Sequence, residues 1–89
     1  MLGGTVSYSK KDMNDIVFGS CLNSNIGNED VATCHAPISG TFAVFVINGG
    51  GNRRVQFAFD YLHWKAYLRF RDAGTIWQTW NEIQLTALT

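Results

Sequence analysis

Histidine is scarce in this chain, occurring only at His35 and His63, and most general acid–base and nucleophilic machinery is scarce with it. No serine sits in a nucleophile-elbow motif, and Gly49-Gly50-Gly51 lacks the Lys-Ser/Thr that completes a phosphate loop. The carboxylates Asp12, Asp15, Glu29, Asp30, Asp60, Asp72 and Glu82 contain no motif that singles out a glycosidase pair. A non-enzymatic protein is expected. Cysteine is equally sparse. Cys21 and Cys34 are too few for a disulfide-dense secreted scaffold, which leaves reduced, buried thiols or a single bridge between them. With His35 and His63 they make four candidate metal ligands, but without the paired spacing of a structural zinc site, so neither metal nor cofactor is expected. Net charge is also lacking: seven basic and seven acidic side chains cancel, giving little electrostatic drive toward nucleic acid. No apolar run approaches the roughly 18 residues that span a bilayer, and the N-terminus lacks the basic and apolar regions of a signal peptide. A soluble product of cytoplasmic synthesis, without membrane insertion, is the expectation.

What the chain does have is aromatic and β-forming content. Three Trp, three Tyr and six Phe in 89 residues, with 46% apolar and 16% charged composition, favour a packed β-rich core over disorder. This length makes a single domain, residues 1–89, that buries roughly 60 to 65% of its unfolded surface. Either aromatic packing or neighbouring copies must complete the core.

Along the chain, Ser9 and Asp12 form a loose capping signal for a short helix over Lys10 to Ile16. Val17 to Asn23 reads as a strand, Ser24 to Asp30 as a polar surface loop, and Val31 to Ala36 as a second short strand ended by Pro37, the only proline. Thr41 to Ile47 is apolar after its first residue, the pattern of a strand buried on both faces. Asn48-Gly49-Gly50-Gly51-Asn52 supplies a hairpin loop. Arg54 to Tyr61 then alternates, placing Val55, Phe57, Phe59 and Tyr61 on one face and Arg54, Gln56, Ala58 and Asp60 on the other. Trp64 to Phe70 repeats this, with Trp64, Ala66, Leu68 and Phe70 expected inward and Lys65, Tyr67, Arg69 and Arg71 outward. Asp72-Ala73-Gly74 turns into a last strand, Thr75 to Leu85. The fold class is therefore mostly β, with a minor helical part: a small twisted antiparallel sheet and one short N-terminal helix.

Trp77 and Trp80 lie three apart, so on a regular strand one serves the core and the other the opposite face, unless a bulge turns both inward. The segment from Tyr67 to Ile83 that contains them resembles the closing hairpin of the pyocin-knob domains of bacteriophage tail fibres and phage-tail-like bacteriocins. The likeness runs from Asp12 to about Ile83. Asp12-Met13-Asn14-Asp15-Ile16 resembles the family's opening, Gly19 its following glycine, and His35-Ala36-Pro37-Ile38-Ser39-Gly40 its Asn-Ala-Pro turn before an apolar strand. Two positions depart from that pattern: His35 stands in place of Asn, and Ser20-Cys21-Leu22 replaces an Ile-Tyr-Tyr-like strand. The resemblance implies a distal receptor-binding module on a homotrimeric fibre of a virion or related particle and does not identify the receptor; bacterial surface polysaccharide is the expected partner. A structural or trimerisation module of such a fibre is the alternative.

For binding, the residues themselves offer Gln56, Tyr67, Arg69 and Arg71 as the polar face of two strands alternating in phase, joined by loop residues Asn25 and Asn28. Guanidinium groups and amides hydrogen-bond sugar hydroxyls or carboxylates, and a flat ring offers a face to pyranose C–H groups. Arg69 and Arg71 equally suit a solvated sheet face or a subunit contact. At least one of Trp77 and Trp80 is expected in the core, and the Tyr61 to Trp64 connection is a second aromatic patch.

Overall fold

The computed structural model describes residues 6–88. They form one six-stranded sheet whose strands lie side by side in chain order: β1 (Ser7–Ser9), β2 (Ser20–Ile26), β3 (Gly40–Asn48), β4 (Arg54–Asp60), β5 (Lys65–Arg71) and β6 (Asn81–Ile83). The mostly β class is as expected, but the sheet is mixed, because β1 runs parallel to β2 while every later pair is antiparallel. The expected N-terminal helix contracts to a single 3-10 turn, Met13–Asp15, capped by Asp12, whose Oδ1 accepts from Asn14 N at 2.9 Å. The expected start at Ser9 is not realised, since Ser9 ends β1, and the turn stops because Ile16 turns to extended backbone. Among the described residues no helix is long and apolar enough to cross a membrane.

The hairpin loop forms as expected. Asn48 pairs with Arg54, and Gly50 and Gly51 adopt φ of 92° and 56°, which glycine reaches without steric cost. Asn48 Oδ1 accepts from Gly50 N and from Arg54 Nη1, so one side chain closes the turn and holds its exit. The expected strand Val31 to Ala36 is instead a run of turns, closed locally by Ala36 N donating to Val31 O. Strand β2 begins later and runs further than expected, so Ser24 to Ile26 belong to the sheet. A register shift between Asn23 and Ile26, with Asn25 at φ 63°, turns both of those residues inward although they are three apart.

The sheet also faces the opposite way from its hydrophobic pattern. Phe42, Val44 and Val46 of β3 are buried, and the β4 residues beside them on that face are Arg54, Gln56, Ala58 and Asp60, all buried. On β5 the buried face carries Tyr67 and Arg69. The alternate set, Val55, Phe57, Phe59, Leu68 and Phe70, is half-buried or exposed. Strand β3 is correspondingly buried on one face only, with Ile47 exposed and Ala43 and Phe45 partly covered.

The reason lies in what covers the inner face. It is an irregular layer made of the crossover between β1 and β2, the 27–39 segment and the approach to β6, which contribute Met13, Ile16, Cys34, Ala36 and the half-buried Trp80 to the core. Irregular backbone has no ladder partners, and its buried carbonyls and amides must be satisfied by side chains. Gln56 Nε2 donates to Met13 O at 2.8 Å and Ile16 O at 2.9 Å, while Arg54 Nε donates to Val17 O at 3.0 Å. Asn23 accepts from Lys11 N and donates to Lys11 O. The polar residues of the sheet point inward because they bind the backbone of its cover.

Candidate functional site

Arg69 is the centre of the inner face. Its strand neighbour Gln56, fully buried, accepts from Arg69 Nε at 2.9 Å. The residue is only 3% exposed, its Nη2 has no hydrogen-bond partner, and among the described residues no carboxylate forms an ion pair with it. Burial lowers the guanidinium to about 10, with Asp12 acting in the opposite sense, so the group remains cationic at neutral pH. The cation lies over two indole rings, 4.2 Å from the Trp77 centroid and 4.6 Å from that of Trp80.

Both tryptophans reach the same cation because the last strand is broken between them. Asp72 closes the β5 turn by accepting at Oδ1 from Gly74 N and Ile76 N; Trp77 then makes an isolated bridge to Arg71, and β6 begins only after Trp80. The expected continuous strand Thr75 to Leu85 is thus a bridge, an irregular step and three paired residues. Of the two expectations for the pair, the irregular chain that turns both rings to one side is the one observed. Trp80 packs against the core and its Nε1 donates to His35 O at 2.9 Å; Trp77 is held through Arg69 and Arg71.

These rings line a cleft of about 770 Å³, walled on the other side by Asn14, Val31, Ala32 and His35 to Pro37 and closed by Thr75 to Thr79. Asn14 Oδ1 is buried in this wall without a partner. His35 adopts φ 53°, a conformation in which Asn and His are enriched, and its Nδ1 lies 2.8 Å from Asp12 Oδ1. The cleft therefore presents flat aromatic surface, with one fixed positive charge, an unpartnered donor and an unpartnered acceptor buried in its wall. Sugars need that combination of apolar face and polar pairing.

The binding residues expected from sequence are dispersed. Gln56 is an internal bracket of the fold, and Tyr67 is a core residue whose phenol is pushed up by burial first and then by Glu82 and Asp60. Neither lines the cleft. Arg71 is half-buried, donates from Nε to Asn52 O at 2.8 Å, and lies 5.6 Å from the Trp77 ring without lining the cleft. Asn25 forms the β2 bulge and bonds Ser9, and Asn28 opens a 3-10 turn; neither reaches the cleft. Only Arg69 of that set is in it. Asn14 and His35 were missed as binding residues, although the odd spacing of Trp77 and Trp80 and the irregular segment before Pro37 mark the two walls. Trp64, expected in the core, is 83% exposed at φ 58°, at the tip with Tyr61 and Leu62.

The thiols are free, Cys34 buried and Cys21 partly so. Burial raises both, with Asp30 and Asp12 adding at Cys34 against Lys10, and Lys11 opposing at Cys21. With His35 paired to Asp12 and His63 to Asp60, they do not converge, and among the described residues no three His, Cys, Asp or Glu side chains gather in metal-binding range. Comparison with known proteins gave no matching family model, no matching curated protein and no matching solved structure.

Proposed function

We propose that this chain is a non-enzymatic receptor-binding module of a phage tail fibre or phage-tail-like particle, and that its tryptophan cleft takes a saccharide unit of a bacterial surface polysaccharide. The observation that carries the reading is the convergence of Trp77, Trp80, Arg69 and Asn14 on one open cleft. Indole faces suit the C–H surface of a pyranose, and unused polar groups suit its hydroxyls. The sequence resemblance to pyocin-knob domains supports the same role. It also supports a homotrimer, and the apolar outer face of Phe57, Phe59, Leu68 and Phe70, which no element among the described residues covers, supports self-association.

That open face favours the second reading, a trimerisation module that holds a separate receptor-binding part. A glycan array probed with the full chain distinguishes the two. Selective retention of one class of bacterial saccharide, lost on Trp77→Ala, is expected for a receptor-binding module. A folded, self-associating chain that retains no saccharide selectively sinks the first reading in favour of the second.

A further inference from the structure

We propose that the cleft selects an acidic saccharide unit, a pyranose carrying a carboxylate, and that Arg69 supplies the counter-charge; this rests on the glycan-binding reading and narrows it. Among the described residues Arg69 is the one Lys, Arg, Asp or Glu of the cleft wall; its guanidinium is buried, and Asp12, which acts on it from a distance and is bonded to His35, forms no ion pair with it. A buried cation in that condition is costly and is stabilised by any anion that reaches it. Its Nη2 has a proton to give, whereas its Nε is already committed to Gln56. A carboxylate accepts that proton in a short, charge-assisted hydrogen bond.

Asn14 sets the rest of the specificity. Its unpartnered Oδ1 accepts hydrogen bonds only, so it repels a carboxylate and takes a hydroxyl. A simple carboxylate uses Arg69 and leaves Asn14 unsatisfied; a neutral sugar uses Asn14 and leaves Arg69 without a counter-ion. A carboxylated pyranose satisfies both and lays its C–H face on an indole. The guanidinium lies beneath the rings, so entry requires one indole to yield. Trp80 is fixed by its bond to His35 O, and the ring that yields is Trp77, held by cation–π contact alone.

The test uses the full chain with Trp64→Phe, so that the remaining emission comes from Trp77 and Trp80, titrated separately with methyl glucuronide, methyl glucoside and sodium acetate. Saturation-transfer NMR on the same mixtures reports weak binding directly. The glucuronide is expected to bind about tenfold or more tightly than the glucoside, the difference one charge-assisted hydrogen bond supplies, and acetate to bind more weakly than the glucuronide. Asn14→Asp, nearly isosteric, places a negative charge beside Arg69 and is expected to abolish the preference for the uronide while the thermal unfolding transition persists. Equal affinity for glucuronide and glucoside overturns the acid selectivity and leaves the glycan reading standing. Acetate equal to glucuronide overturns it as well, because the sugar then contributes nothing. No response to any of the three overturns both.

Discussion

Gln56→Met tests the inverted sheet most directly, since methionine keeps the unbranched shape of the side chain and removes all three of its hydrogen bonds. Gln56 Nε2 holds Met13 O and Ile16 O, and Oε1 accepts from Arg69 Nε. Met13 O keeps the Ile16 N–H at 3.2 Å, so the variant orphans one buried carbonyl, Ile16 O, and one guanidinium N–H. Each orphaned group costs about 1 to 3 kcal/mol, and the sum is about 2 to 5 kcal/mol after the modest gain from burying a thioether. A domain of this length has roughly 4 to 13 kcal/mol to lose. With a urea slope near 1 kcal/mol per molar for a small domain, the midpoint should fall by about 2 M or more.

The neighbouring residue supplies the control. Phe57 points to the outer face, half-buried and stacked between Phe45 and Phe59, so Phe57→Ala measured at low micromolar concentration should cost only about 1 to 2 kcal/mol. Hydrophobic alternation alone orders the pair the other way, with Phe57 as a core residue costing about 3 to 5 kcal/mol and Gln56 as a surface residue costing less than about 0.5 kcal/mol. Equilibrium urea unfolding followed by far-ultraviolet circular dichroism reads both. That second ordering would refute the inward polar face and the cleft built on Arg69 with it.

The tryptophans should separate similarly: Trp80→Ala, which loses core packing and the bond to His35 O, should cost about 3 kcal/mol, and Trp77→Ala about 1 kcal/mol by thermal unfolding. Trp64→Gly should stabilise the chain by about 0.5 to 1 kcal/mol, because an exposed bulky residue at φ 58° is replaced by one that adopts that angle freely; a lowered melting temperature counts against strain there. Cys34 keeps its proton in the folded state above its ordinary value of 9.0, where the unfolded thiol has lost it, so its contribution is complete below about pH 9 and declines as pH rises further. Cys34→Ala should flatten that alkaline decline above about pH 9, before Arg69, shifted the other way to about 10, contributes the opposite sign. Phe59→Lys, placed in the middle of the outer face, should shift the chain from oligomer to monomer in light scattering without unfolding it; an unchanged oligomer excludes that face as the contact.

The strands were legible where alternation was long and their turns had strong chemistry. The strands expected over Arg54 to Tyr61 and Trp64 to Phe70 form within one residue of those bounds, and the Asn48 to Asn52 loop forms between β3 and β4, because period-two patterning and glycine at positive φ are local properties. Which face would be covered was not legible. Alternation says that Gln56 and Arg69 share a face, but it does not reveal that the cover is irregular backbone in need of donors rather than a second apolar layer. The assumption that the apolar set points inward therefore moved Phe57 and Gln56 to the wrong sides together. The same cover explains why Val31 to Ala36 failed as a strand: its apolar residues pack as single anchors, Cys34 and Ala36, from a chain of turns. The binding residues were half legible for a related reason. Arg69 and the tryptophan spacing stood out, whereas Asn14 and His35 acquire meaning only when crossover and turn close on β5.

A sheet with a bracketed inner face and an open apolar outer face keeps the proposed binding cleft and the proposed contact face apart by its own thickness. Arg69, Asn14 and both indoles of the cleft lie on the covered side, while Phe57, Phe59 and Phe70 lie on the other. Copies of the chain that associate through the outer face bury the aromatic surface and leave every cleft directed away from the contact. A shallow site with a single charge-assisted bond binds one sugar weakly, so useful adsorption depends on several clefts engaging one polymer. Assembly through the face that the fold leaves bare is the arrangement that supplies them without altering the cleft. Loss of the oligomer by Phe59→Lys should therefore weaken adsorption to cells by far more than it weakens binding of the single saccharide, whereas loss of Trp77 should weaken both alike.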